Sequence, residues 1–416
     1  MTIMTDAAQA KANRNIIFLV IVASLGYFVD IYDLLIFSIV RVKSLTDIGI
    51  IDKADITAKG TFIINVQMFG LLLGGILWGI IGDKLGRIKV LFGSIILYSA
   101  ANFINSYVYD VNTYALVRFF AGVGLAGELG AGITLVSETM SKERRGYGTM
   151  IVAVVGLFGA VMANIVAKDF GWRPAYRVGG ALGALLLLLR VGTFESGMYK
   201  NAEDSNVSRG NFLSLFTNGK RLLKYLYCIL IGAPLWYVVG ILVTQSQEFG
   251  VALKAKDVLN AGDGILYTYI GISVGDLVAG ILAQITKSRK LTMMVFLFLS
   301  IICVGYYLNA TGMDSSQYIK ICFLMGCSVG YWATFVTIAS EQFGTNLRAT
   351  VTTTVPNFVR GALIPINGAF AFFKGHYGMI NAGYIMMILL TVISLFSLSQ
   401  LKETFGKDLN YMEETL

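Results

Sequence analysis

Apolar runs of about 20 residues recur along the whole chain, separated by short charged or turn-rich breaks. A run of that length is what an α-helix needs to cross the hydrocarbon core of a bilayer. Charged residues make up only 14% of the chain, and the mean hydropathy is +0.70. A water-soluble fold cannot bury so much apolar surface, so the chain is expected to fold in lipid.

The apolar runs form two sets of six. They lie near 15–41, 60–82, 88–108, 112–137, 147–167 and 175–192, and then near 223–247, 263–286, 291–309, 318–340, 349–372 and 378–400. The pattern predicts an all-α membrane protein with twelve transmembrane helices in two six-helix pseudo-repeats. The longest polar stretch separates the sets, which predicts an N-terminal half over 1–194, a cytoplasmic linker over 195–222 and a C-terminal half over 223–416.

A short internal repeat supports duplication of a six-helix unit. The motif TLVSE ends at Glu138 and is followed by Arg145. The motif TIASE begins 203 residues after it, ends at Glu341 and is followed by Arg348 at the same spacing. Both copies fall at the end of the fourth predicted span of their half, as expected for a parallel-repeat transporter.

The basic residues indicate orientation. The net charge is +8, but Lys and Arg lie in short loops and form no continuous basic face with aromatics, so no nucleic-acid partner is expected. Placing both termini and the linker on one side collects roughly twenty Lys and Arg there, against roughly eleven on the other side. We therefore expect a multi-pass protein of the cytoplasmic (inner) membrane with both termini in the cytoplasm.

The sequence offers no catalytic or metal-binding constellation. The cysteines lie inside apolar runs without metal-ligand spacing and are interpreted as packing residues; they are Cys228, Cys303, Cys322 and Cys327. No nucleophile–base pair or nucleotide motif stands outside the spans. The chain is therefore expected to be no enzyme and to need neither cofactor nor metal.

The loop after the second span, 79–89, reads GIIGDKLGRIK and resembles the signature GxxxD(R/K)xGR(R/K) of the major facilitator superfamily. The resemblance implies two halves that alternate in access. It assigns gating roles to Gly82, Asp83, Gly86 and Arg87, joined by the repeat residues Glu138, Arg145, Glu341 and Arg348. The alternative is a positively charged cytoplasmic loop without a gating role. The second-half equivalent, 286–290, keeps the charge but lacks the Asp and Gly, which predicts a gate built differently.

Two further motifs are similar to the metabolite:proton symporter branch of that superfamily. The stretch 118–130 resembles RxxxGxGxGGEWG, and 26–37 is similar to GxxxEWxDF. The resemblance implies proton-coupled symport of a small organic acid, amino acid or related zwitterion, with Asp30, Asp33, Arg118 and Glu128 in proton coupling. Carboxylates in hydrocarbon are costly, so Asp30 and Asp33 must face a wet cavity, a cation or a proton. The alternative is that Arg118 merely pairs with them to hold the bundle together.

Other polar side chains inside the predicted spans are candidate solute contacts. They are Tyr27, Asn65, Gln67, Asn164, Gln245, Asn357 and Arg360. A buried guanidinium can bind a carboxylate through two hydrogen bonds, so Arg360 is the leading contact. The alternative for Arg360 is an internal salt bridge to Asp276 or to a carboxylate of the first span.

The sequence is compatible with several functional hypotheses. The expected partners are a small solute, protons and membrane lipid, with the protein a monomer. A proton-independent facilitator, for example of sugars, an exporter, or a membrane nutrient sensor without transport would share the same architecture.

Overall fold

The computed structural model describes residues 6–85, 87–128, 140, 145–190 and 212–406. Helices occupy most of these residues and group into twelve spans, α1 to α12, which confirms the predicted fold class. Eight of the described helices are long and apolar enough by themselves to cross a membrane.

The first six spans are single helices over their described residues. They are α1 Asp6–Asp47, α2 Lys53–Leu85, α3 Arg87–Asn105, α4 Val111–Leu125, α5 Arg145–Phe170 and α6 Trp172–Leu189. The predicted linker, 195–222, lies outside the described ranges up to residue 211; its described part contains the 3-10 turn Phe212–Leu215 and the first residues of the helix that begins at Gly219.

The second six spans include three interrupted ones. The spans are α7 Gly219–Val243, α8 Ala261–Thr286, α9 Arg289–Asn309, α10 Ser315–Glu341, α11 (Thr345–Gly361 with Leu363–Tyr377) and α12 Met379–Gln400. A short helix, Ser246–Ala252, follows α7. The sequence pattern did not show that α10 is broken between Val329 and Trp332, or that α7 ends in the π-helical segment Val238–Val243.

Side-chain caps and glycine turns fix where the helices start. Asp110 caps α4 by accepting from Thr113 N, and Asp314 forms a capping box with Gln317 at the start of α10. Gly171 and Gly378 join the fifth and sixth spans of the two halves with φ of 88° and 80°, which a side chain would strain.

Close helix crossings repeat between the halves. In the first half, a Cβ on Gly70 of α2 would strike the Phe119 carbonyl of α4. In the second half, a Cβ on Gly271 of α8 would strike the Phe323 carbonyl of α10. Small residues of this kind allow the close approach of helices that lipid-embedded bundles need. The duplicated contacts show the pseudo-repeat in three dimensions.

The halves meet along two helix pairs, α2 with α11 and α5 with α8. We call the end of the bundle that carries both termini the terminal end and the opposite end the distal end. Near the middle, Gly361 of α11 faces the Leu72 side chain of α2, and Gly262 of α8 faces Asn164 of α5 nearer the distal end. These contacts hold the central site between the two halves.

Candidate functional site

A small cavity lies between the halves near the middle of the bundle. Its water-accessible volume is about 20 Å³, enough for about one water molecule and too small for an organic solute in this conformation. Both halves contribute to its lining, which consists of Tyr27, Ile31, Leu157, Leu235, Trp236, Tyr269, Ile272, Trp332 and Arg360. A solute that opened this space would touch four aromatic side chains, four aliphatic ones and one guanidinium.

Arg360 forms an ion pair with Asp30 across the two halves. Its Nη2 lies 3.3 Å from Asp30 Oδ2, and both side chains are buried. The contact is long and uses only one oxygen, because Asp30 Oδ1 and Arg360 Nε have no hydrogen-bond partner. Of the alternatives raised by the sequence, the pair with a first-span carboxylate is therefore present in this conformation.

Arg360 does not pair with Asp276, the other carboxylate that the sequence suggested as its partner. Asp276 Oδ1 instead accepts from Ala333 N at 2.9 Å, at the first turn after the break in α10. It therefore caps the segment that begins at Trp332, one of the aromatic residues of the cavity wall. Asp276 positions this wall and has no ion pair with Arg360.

Asn357 sits one turn before Arg360 and connects α11 to the first half. Its Nδ2 donates to the Ala126 carbonyl at 2.9 Å, and its Oδ1 accepts from Arg360 Nη1 at 3.3 Å. The helix runs through Pro356 and is interrupted only after Gly361. Asn357 thus orients the guanidinium and bridges the halves at once.

Asp33 lies away from the cavity, inside the N-terminal half. Its carboxylate borders Gly179 of α6 and the side chain of Asn102, and among the described residues neither oxygen has a well-formed hydrogen bond. Arg118 Nη2 donates to the backbone carbonyl of Asp33 at 2.7 Å, and its Nη1 donates to Asn102 Oδ1 at 3.3 Å. Although only three residues apart on α1, Asp30 and Asp33 face different surroundings.

Most of the side-chain amides predicted to contact solute are hydrogen-bonded to neighbouring protein groups. Gln67 accepts from Arg118 Nε at 3.2 Å, and Asn65 accepts from Asn367 of α11 at 2.8 Å. Asn164 donates to Asp263 of α8 at 3.1 Å. Gln245 is buried after the π-helical segment of α7. Of the predicted solute contacts, only Tyr27 and Arg360 line the cavity in this conformation.

Glu128 is paired elsewhere in the N-terminal half. It makes a bidentate ion pair with Arg190, in which Arg190 Nη1 lies 3.1 Å from Glu128 Oε2. Both side chains are 1% exposed, and α1 covers them at Gly26. None of the sequence motifs contains Arg190, although an arginine directly after five leucines is a visible signal.

Ion pairs close the distal end. Arg41 of α1 bonds Glu248 of the short helix at 2.9 Å, and Thr57 of α2 donates to the same carboxylate at 2.8 Å. Lys168 lies 3.6 Å from Asp263, which also holds Asn164. None of these charged residues was predicted, because each lies at the edge of an apolar run, where charges are common.

The terminal end carries a separate network in the C-terminal half. Arg289, at the start of α9, forms an ion pair with Glu341, and Arg348 donates to the carbonyl of Ser340 at 3.3 Å. Beside them, Glu403 accepts hydrogen bonds from Ser288 Oγ and from the backbone N–H groups of residues 289, 290 and 405. Partial burial raises the pKa of Glu403, but these hydrogen bonds outweigh it and hold that pKa at about 2.

The predicted gating residues of the first half lie at helix ends or outside the described residues. Gly86 and Glu138 lie outside the described residues. Gly82 and Asp83 stand in the last turns of α2, Arg87 begins α3 and Arg145 begins α5, but their side chains are not among those described. Their gating role stays a prediction.

Two helical halves around a buried, charged central cavity define a multi-pass membrane transporter. The family model of the Major Facilitator Superfamily matches residues 16–366, and the chain belongs to this superfamily. It is a transporter of small metabolites and no enzyme, as the sequence predicted.

Named relatives and a solved structure agree with this assignment. A putative metabolite transport protein of Haemophilus influenzae is 24% identical, covering 81% of this chain and 84% of the relative. The sialic acid transporter NanX of Escherichia coli is 25% identical, covering 86% and 87%. The proton:xylose symporter XylE, solved with 6-bromo-6-deoxy-D-glucose, shares the fold with a TM-score of 0.70 at 17% identity, covering 96% of this chain and 98% of XylE.

Proposed function

We propose that the chain is a proton-coupled symporter that carries a small organic anion, amino acid or related zwitterion by alternating access. The observation that carries the proposal is the single, long contact between Asp30 and Arg360 at the wall of the cavity. Within the described part of the chain Arg360 Nε has no hydrogen-bond partner, so its guanidinium has donors left for a solute carboxylate.

The pair couples solute binding to protonation in a simple way. A carboxylate bound by two parallel hydrogen bonds is held more strongly than one bound by a single long contact, so it displaces Asp30 from Arg360. Asp30 then remains buried without its cation, which is costly unless it takes a proton. Solute carboxylate and proton enter together, and the net charge of the cavity stays the same.

The relatives support a solute of this chemistry. Sialic acid, named for NanX, is a carboxylate, and XylE is named as a proton symporter. Asp33, Arg118 and Glu128 are proposed to support proton coupling within the N-terminal half, and Asn357 to support the anion site through Arg360. We propose gating roles for Glu341 and Arg348 at the terminal end.

We place the terminal end in the cytoplasm, with the protein in the cytoplasmic membrane as a monomer without a nucleic-acid partner. The excess of Lys and Arg on that side supports this orientation. Large apolar side chains on the outside of the spans, including Leu188, Ile285 and Ile302, are exposed and suit contact with lipid.

Uptake into proteoliposomes tests the proposal. Labelled sialic acid, benzoate, nicotinate and glutamate are offered with and without an inward proton gradient. We expect gradient-driven accumulation of at least one of them, lost in Asp30→Asn, which cannot take up the proton, and reduced at least tenfold in Arg360→Lys, because a bond to a charged group contributes roughly 1.5–3 kcal/mol. Arg177→Lys, at the distal surface, is the matched control and should transport normally.

Other outcomes point to the rival functions. Transport that ignores the gradient would identify a facilitator. If no solute of the panel moves, export or sensing becomes the leading function. Accumulation that survives unchanged in Asp30→Asn would move the coupling site to Asp33 or Glu128.

A further inference from the structure

A fully buried polar column fills the N-terminal half between α1, α3, α4 and α6. Its members are Ser44, Asn102, Asn105, Tyr114, Tyr176 and Asp33, all of them 0% exposed. It runs from the distal ends of these helices inward to Asp33. The cavity lining contains none of these side chains.

Many polar atoms of this polar column lack a protein partner. Among the described residues, both side-chain polar atoms of Asn105 have no partner, and the carboxylate of Asp33 has at most a weak contact with the neighbouring Asn102. Burying such atoms without a partner destabilises the folded protein. Buried water normally satisfies groups of this kind, with about three hydrogen bonds per molecule. The unpaired atoms therefore mark places for ordered water.

The paired atoms of the polar column supply continuity. The hydroxyls of Tyr114 and Tyr176 lie 2.7 Å apart, and Tyr114 Oη lies 3.4 Å from Ser44 Oγ. The Arg118 guanidinium lies 5.6 Å from the ring centre of Tyr176 and bonds Asn102. Hydroxyls that both donate and accept can pass protons along such a chain when water fills the gaps.

The distal end of the polar column lies one side chain below the surface. Trp172, which is buried, packs 6.1 Å from the Tyr114 ring and donates to Asp47, whose side chain is 54% exposed. Arg173 donates to the carbonyl of Ser106, the residue after Asn105. Trp172 therefore separates the polar column from the distal surface beside α6, away from the Arg41–Glu248 contact between the halves.

We propose that this polar column is a water-lined proton route from the distal end to Asp33, separate from the path of the solute. The route rests on the proposed proton coupling. A proton can then reach Asp33 from outside while the contact between Arg41 and Glu248 closes the distal path to the solute. The titratable groups around Asp33 are Arg118, Asp30, Tyr32, Tyr98 and Tyr176.

Hydroxyl-radical footprinting of the purified protein tests for the water and needs no solute. Radicals form from water held beside a side chain, so we expect Tyr114 and Tyr176 to be labelled despite their burial. Tyr237 is the matched control, since its buried hydroxyl donates to the Gly383 carbonyl and sits outside the polar column. Asn105→Leu should lower labelling of both tyrosines at least fivefold. Labelling no higher than that of Tyr237 would overturn the route.

Transport assays test whether protons use the route. Proteoliposomes containing a pH dye report proton uptake when sialic acid, benzoate or nicotinate is added. Asn105→Leu and Tyr114→Phe should slow proton uptake at least fivefold and leave solute counterflow within twofold, because counterflow needs no net proton movement. Tyr237→Phe should change neither. Equal loss of both activities, or of neither, would contradict the route.

The two proposals fail in different ways. If the wild type moves solute without proton uptake, symport is wrong and the route loses its role with it. If the wild type couples normally and the variants do too, symport stands and the route alone is wrong.

Discussion

Arg41 and Glu248 tie the two halves together at the distal end, with Arg41 Nη2 2.9 Å from Glu248 Oε1 and 3.2 Å from Oε2. Arg41 also donates to the Thr244 carbonyl at 3.1 Å, so one guanidinium holds both the side chain and the backbone of the other half. Opening the distal path must break these bonds. The contact therefore sets the balance between the closed and open conformations at this end.

Removing this contact should open the distal end. Arg41→Gln loses charged hydrogen bonds worth roughly 1.5–3 kcal/mol together, and every 1.4 kcal/mol shifts a population about tenfold. Spin labels at Ile51→Cys and Val258→Cys, both exposed in the distal loops, report the distance between the halves. We expect the long-distance population to rise at least tenfold. Lys59→Gln, which loses only a surface pair with Asp55, is the control. An unchanged distance distribution in Arg41→Gln would show that other contacts close this end.

Removing one charge of the Asp30–Arg360 pair should destabilise the protein more than removing both. Asp30→Asn leaves the Arg360 charge buried alone, which costs roughly 3–5 kcal/mol. The double variant Asp30→Asn with Arg360→Gln removes both charges and should recover at least half of the lost stability. Thermal unfolding followed with a thiol-reactive dye measures this, because Cys228 and Cys322 are buried and react on unfolding. Additive losses would indicate that the two charges do not interact.

Gly26→Ala should destabilise the N-terminal half. The added methyl would overlap Glu128 Oε1 and Arg190 Nη2, so the buried ion pair must shift or break. Gly280→Ala is the matched control, because nothing lies within 4 Å of its added methyl and it stands inside α8. Alanine favours that helix by about 0.8–1 kcal/mol, so Gly280→Ala should raise the unfolding temperature while Gly26→Ala lowers it. Equal shifts in the same direction would contradict the close approach of α1.

Glu403 should make stability depend on pH. Its pKa of about 2 in the folded protein lies below the ordinary value of 4.5. A depressed folded pKa means that the stabilisation is complete above the ordinary value and is lost as pH falls from there towards 2. Glu403→Gln should therefore unfold at a lower temperature than wild type at pH 7, and the difference should shrink between pH 5 and pH 3. Asp169→Asn, an exposed carboxyl at the distal end, serves as the control. A constant difference across this range would exclude the charge of Glu403 as the cause.

The sequence was sufficient for the fold because its signals are local. Twelve apolar runs of spanning length can satisfy their backbone groups in lipid only as helices. The interruptions of α7 and α10 escaped prediction, since the glycines and aromatic residues there are as common in unbroken spans. Asp276 caps the break in α10 from a neighbouring span, and no local pattern contains that contact.

The candidate site also shows this difference between local sequence signals and tertiary contacts. The sequence by itself determined which residues are too polar for lipid, so Asp30, Asp33 and Arg360 were identified from burial cost, and Glu128 from the motif that it belongs to. Only the tertiary structure decided their partners. In the tertiary structure Asp30 pairs with Arg360 of the other half, Asp33 lies inside the polar column, and Glu128 pairs with Arg190. The physical reason is that hydropathy fixes depth in the bilayer, whereas partner choice depends on how each helix is rotated and crossed by its neighbours.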